Sequence, residues 1–233
     1  MDLLRLSDFA SATGRGVRIA VIDSGVHAAH PHVQGVAGGV GIDADGHEHP
    51  DYIDRLGHGT AVTAVIREKA PEAEILVVKV FDRELSSTAA ALVAAIDWAV
   101  RQRVHFINLS LGTANQDHES ALREAVAQTR AAGAELIAAA PEPERRWLPG
   151  AIDGVIPVAL DWALSRDECR VERSGDRIVR LYAAGFPRPI PGVPPERNLK
   201  GISFAVANGT GLLARAFGAT SGTKDPISAR QTS

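Results

Sequence analysis

Cysteine is nearly missing from this chain. Cys169 stands alone, so no intrachain disulfide can form, which suits a reducing compartment or a fold that needs no covalent staple. Long apolar runs are missing too, and none approaches the roughly 20 residues that cross a bilayer. The first residues, Met1 to Arg5, lack the basic segment and long apolar stretch of a secretory leader. These absences lead to the expectation of a cytoplasmic chain with no membrane partner. Charge of one sign is not in excess, since 25 Lys and Arg face 28 Asp and Glu and no basic run stands out. Nucleic acid is therefore not an expected partner. Internal repeats and a second domain are also absent, and 233 residues suffice for one large α/β domain. Residues 1–217 are read as that domain, and 218–233, polar with Gly and Pro, as a disordered tail.

Strands alternating with amphipathic helices are what the chain does contain. The apolar run at 17–22, bounded by Gly16 and by Ser24-Gly25, reads as a buried strand ending in a tight turn. Further buried strands are expected at 75–80, 104–112, 135–140 and 155–159. Helices are expected from His58 to about Glu68, from a Ser87 or Thr88 cap to Val100, and over 120–132. After 159 the pattern degrades, and the Pro-rich stretch 187–195 reads as an irregular loop. Such alternation implies a three-layer α/β fold, a mostly parallel sheet with helices on both faces.

Chemistry-bearing residues sit at the ends of these elements. Asp23 closes the first buried strand, where open α/β sheets place active groups, although a turn residue is equally at home there. His58 lies between Gly57 and Gly59, which leaves room for close approach. Ser203 precedes a small-residue helix, where free N–H groups and the positive dipole end favour a developing oxyanion. Taken alone, Ser203 is an N-cap. The segment 27–54 holds His27, His30, His32, Asp43, Asp45, His47, Glu48, His49, Asp51 and Asp54. These could ligate a divalent ion, but no fixed metal-ligand spacing occurs, so a solvated Gly-rich surface loop is expected and no metal or cofactor is assigned.

Together, Asp23, His58 and Ser203 are the parts of an activated serine nucleophile, in the chain order of the subtilisin class. Their flanks carry a resemblance. Val21-Ile22-Asp23-Ser24-Gly25-Val26, Gly57-His58-Gly59-Thr60 and Gly201-Ile202-Ser203-Phe204-Ala205 resemble that family's three catalytic motifs. Ile107-Asn108-Leu109-Ser110-Leu111-Gly112 resembles the strand that pairs with substrate and forms one wall of the primary specificity pocket. The resemblance spans residues from about 10 to 217. It implies a subtilisin-like serine peptidase in which His58 takes the proton of Ser203 and Asp23 orients His58. It also implies that residues 110–112 bind an extended peptide by strand addition, with a second binding edge at Leu85, Ser86 and Ser87.

Departures from the family pattern qualify that picture. The family has Gly-Asn after the strand ending here at Ala140, and the Asn donates to the oxyanion. This chain has Pro141-Glu142. In this family the loss of that donor costs about a hundred- to a thousandfold in turnover. Ser203 N–H remains for the hole, and a protonated Glu142, or Arg145 or Arg146 swinging in, could restore it. Residues 67–71 leave no room for the calcium loop of secreted members. No inhibitory pro-segment is expected, since the resemblance starts at about residue 10. The leading reading is a low-turnover intracellular peptidase that processes a peptide or precursor peptide. A pseudo-peptidase that binds a peptide or partner without cutting it is the alternative, and an esterase using the same triad is a third. Cleavage preference and oligomeric state are not readable.

Overall fold

A computed structural model describes residues 1–82, 87–194 and 197–220. Its strands are β1 (Asp2–Arg5), β2 (Arg18–Asp23), β3 (Gly38–Ile42), β4 (Glu48–His49), β5 (Glu74–Lys79), β6 (Phe106–Leu109), β7 (Glu135–Ala139), β8 (Ile156–Leu160), β9 (Glu168–Ser174) and β10 (Arg177–Ala183). Its helices are α1 (His58–Lys69), α2 (Ala89–Arg101), α3 (Glu119–Ala131) and α4 (Ile202–Thr220).

Strands that are apolar on both faces can only sit inside a sheet covered on both sides. In β2, Ile19 and Val21 enter one core with Val65 and Ile66 of α1 and Leu212 of α4. Ala20 and Ile22 enter the other with Leu92 and Ile96 of α2 and Leu122 of α3. The sheet order is β1-β9-β10-β8-β7-β6-β2-β5-β3-β4. The pairs from β10 through β8, β7, β6, β2 and β5 to β3 are all parallel. The flanking pairs β1–β9, β9–β10 and β3–β4 are antiparallel. This is the expected three-layer α/β architecture, and the carboxyl ends of the parallel strands share one edge.

Three departures from the expected elements have identifiable causes. Segment 27–54 is not all loop: it contains β3 and β4. Gly38, Gly39 and Gly41 disguise β3 as a turn, yet a β-carbon at Gly39 would press on the Tyr52 ring at 2.8 Å. The β9–β10 hairpin hides behind charge, because only Cys169, Val171, Leu181 and Ala183 are buried and arginines and glutamates fill the outward positions. Finally, α4 runs to Thr220, past the domain end drawn at 217. Gly218 there permits close packing, since a β-carbon on it would stand 3.1 Å from Gly14 Cα. Residues 221–233 lie outside the described residues.

Ile22 is fully buried between β2 and the α2–α3 layer. Ile22→Ala is expected to lower unfolding stability by about 2–5 kcal/mol, read as a shift in urea midpoint at unchanged slope.

Candidate active site

Asp23 is the last residue of β2 and is wholly buried. His58 is the first residue of α1, entered from Gly57 at φ 81°, a left-handed conformation suited to glycine. Gly59 brings the helix start against the β2 turn, because a β-carbon there would run into the Gly25 carbonyl. As a result, Asp23 Oδ1 lies 2.7 Å from His58 Nδ1. A carboxylate only accepts, so Nδ1 carries the proton and Nε2 is left as the free basic nitrogen. Oδ1 also accepts from Ser24 N–H at 2.7 Å.

Burial alone would pull the His58 pKa down. The hydrogen bond and charge of Asp23, joined by the charge of Asp54, outweigh burial and hold it above the ordinary 6.5.

Asp54 is the residue that sequence reasoning missed. It had been grouped with a solvated loop, but it is buried. Its Oδ1 accepts from Ser24 Oγ, Leu56 N–H and Gly57 N–H at 2.8–2.9 Å. Its Oδ2 accepts from Thr60 N–H and Thr60 Oγ at 2.8 and 2.6 Å. Ser24 Oγ in turn accepts from Gly59 N–H at 2.9 Å. Burial opposes ionisation of Asp54, but the hydrogen bonds from Thr60, Leu56 and Ser24 prevail and hold its pKa below the ordinary carboxylate value. The available signal was its place four residues before His58 in a turn, which periodicity cannot separate from a surface acid. Elsewhere in the segment, Asp43, Asp45 and His47 are exposed, with possible ligand atoms within 4.8 Å of one another.

Ser203 is not an N-cap. It is the second residue of α4, behind Gly201 at φ 148°. Its N–H, in the first turn, has no intrahelical acceptor. Its hydroxyl donates to the Ser110 carbonyl at 3.4 Å, and among the described residues no hydrogen bond joins it to His58. The two elements do meet: the Phe204 ring centroid is 5.9 Å from that of His58. A second chain fixes Ser110. Asn108 Nδ2 donates to Ser110 Oγ at 2.9 Å, and Thr210 Oγ of α4 donates to Asn108 Oδ1 at 3.0 Å. Leu111 and Gly112 follow at the open carboxyl end of β6, half-buried and exposed. Leu85 and Ser86 lie outside the described residues, and Ser87 is half-buried.

Glu142 is exposed at the end of β7. Its N–H donates to Arg145 O at 3.0 Å and Arg145 N–H donates back at 3.1 Å, so a tight turn consumes that main-chain donor. Arg146 does not turn toward the site. It pairs with Glu119 and donates to Gln116 Oε1 at 2.7 Å. The Arg145 guanidinium lies 5.1 Å from the Trp147 ring centroid.

A model of the subtilase family matches residues 14–143. The chain belongs to the subtilase family. A thermostable alkaline protease of Halalkalibacterium halodurans is 31% identical over 211 residues, covering 85% of this chain and 54% of that protein. The chain thus spans about half the length of that relative. Two solved structures share the fold of this subtilase. A lanthipeptide protease gives a TM-score of 0.71 at 18% identity, covering 94% of this chain and 79% of that one. The prenylagaramide maturation protease PagA gives 0.69 at 23% identity, with 95% and 84% covered.

Two outcomes are expected from this geometry. The His58 imidazole should titrate by NMR above 6.5, and Asp23→Asn should lower its pKa, because the cation loses its charged partner. Asp54→Ala leaves buried donors unpaired and should cost about 1–3 kcal/mol or more, measured by chemical denaturation.

Proposed function

We propose that this subtilase is a serine endopeptidase in which Ser203 is the nucleophile, His58 the general base and Asp23 the group that orients His58. The observation that carries the reading is the 2.7 Å contact between Asp23 and Nδ1 of His58. It leaves Nε2 basic, on a ring whose centroid is 5.9 Å from that of Phe204, the neighbour of Ser203 in α4. In the reaction, Ser203 Oγ attacks the scissile carbonyl carbon as its proton passes to His58 Nε2. The imidazolium, stabilised by Asp23, then protonates the leaving amine, and water repeats the sequence to release the acid. Ser203 N–H faces the developing oxyanion at the positive end of α4. Glu142 adds no main-chain donor, because its N–H is engaged with Arg145. Turnover is accordingly low, which fits the processing of one peptide or precursor peptide better than digestion. The names of the two fold neighbours, a lanthipeptide protease and a maturation protease, agree with processing. The single buried cysteine agrees with a reducing, cytoplasmic setting.

The Glu142 turn also favours a second reading, a module that binds a peptide along residues 110–112 without cutting it. One experiment separates them. Reaction with a fluorophosphonate probe should label the native chain and fail in Ser203→Ala and His58→Ala, while Glu142→Asn should raise turnover of an activated ester about tenfold or more. A folded protein with no labelling would establish the binding module instead.

A further inference from the structure

This inference rests on the peptidase reading and concerns the residue before the scissile bond. The chain leaving β7 folds back on the edge that follows β6. Thr113 N–H donates to Leu148 O and Leu148 N–H donates to Thr113 O, both at 2.9 Å. The approach is so close that a β-carbon on Gly112 would stand 2.8 Å from Leu148 O. The same β-carbon would stand 3.6 Å from Cβ and from Cε3 of Trp147. The indole therefore lies in van der Waals contact with the face of Gly112 from which a side chain would project. It is anchored on both sides, by the buried Leu148 after it and by the Glu142–Arg145 turn before it. Arg145 covers the ring, 5.1 Å from its centroid, a cation–π arrangement that holds it further.

A peptide paired with residues 110–112 and presenting its carbonyl to Ser203, whose Oγ is 3.4 Å from Ser110 O, must place the preceding side chain beside this edge. The space on the Gly112 side is taken by the indole. We propose that Trp147, with Arg145 stacked on it, closes the back of that slot, so that the enzyme cuts after glycine, alanine or serine and rejects large side chains. Seating a phenyl or long aliphatic group would require the anchored ring to leave, whereas a methyl or hydroxymethyl group does not reach it.

The test uses the full chain and acetyl-Ala-Ala-X p-nitrophenyl esters with X as Gly, Ala, Ser, Leu, Phe or Lys. Ser203 labelling by a fluorophosphonate serves as a control that is independent of X. The native chain should show kcat/KM for Ala or Ser at least about tenfold above Phe, Leu and Lys. In Trp147→Ala the Phe-to-Ala ratio, taken within the one variant, should rise about tenfold or more, and in Arg145→Ala it should rise less. Trp147→Leu supplies an intermediate should the alanine variant fold poorly. Efficient cutting after Phe or Lys by the native chain would overturn the proposal. So would a ratio that the Trp147 variants leave unmoved despite normal labelling. Absent labelling would overturn the peptidase reading, and this inference with it.

Discussion

A buried carboxylate that pairs with no Arg or Lys among the described residues holds the candidate site together. Asp54 must be satisfied by hydrogen bonds or it would lose its charge, and its donors come from the β2 turn, the loop before α1 and the first turn of α1. Through Ser24 it also reaches Gly59 N–H. Satisfying one ion therefore fixes three pieces of chain relative to one another, and the Asp23–His58 contact follows from that placement. The far end of α1 is secured in a comparable way. There the buried Arg67 donates to the carbonyls of Val33, Gly35, Pro71 and Ala73. The helix that carries His58 is thus held near each end by a charged side chain that neutral groups satisfy, and its last turn also carries the Lys69–Asp167 ion pair.

The other half of the site depends on α4. Its apolar face fills the core shared with α1, and its polar exceptions point to specific partners. Thr210 reaches Asn108 in β6, and Asn208 donates to the carbonyls of Ala184 and Phe186 beyond β10 at 2.9 and 3.1 Å. A small-residue helix can approach the sheet closely enough for these contacts. They register Ser203 against Ser110 and against the strand ends, so the start of α4 and the edge that follows β6 are held together.

The segment from Pro141 to Leu148 holds together through its own contacts. A tight turn brings Trp147 back onto Gly112, and Arg146 is drawn outward to Glu119. The basic residues near Glu142 thus serve the loop's own structure, one over an indole and one in an ion pair, and the exposed Glu142 carboxylate is left to solvent.

Apolar runs at 17–22, 75–80, 104–112 and 135–140 were enough to read the parallel core, because a strand buried on both faces has no other stable environment. The order and flanks of Asp23, His58 and Ser203 carried the resemblance to the family, since those motifs combine residue type with the glycines that local geometry demands. Other elements were closed to that reading. Strand β3 is rich in glycine because Tyr52 and His49 pack on it, and β9 is mostly charged because one face of the β9–β10 hairpin meets solvent. Asp54 looked like any surface acid, and its burial depends on donors brought from residues 24 and 60. Trp147 looked like one aromatic in a charged loop, and its position against Gly112 depends on the return of the chain after β7. Local pattern determined which strands and motifs exist. Contacts between residues distant in sequence decided which polar groups are buried and how the slot beside Ser203 is shaped, because those properties belong to pairs of segments and to neither segment alone.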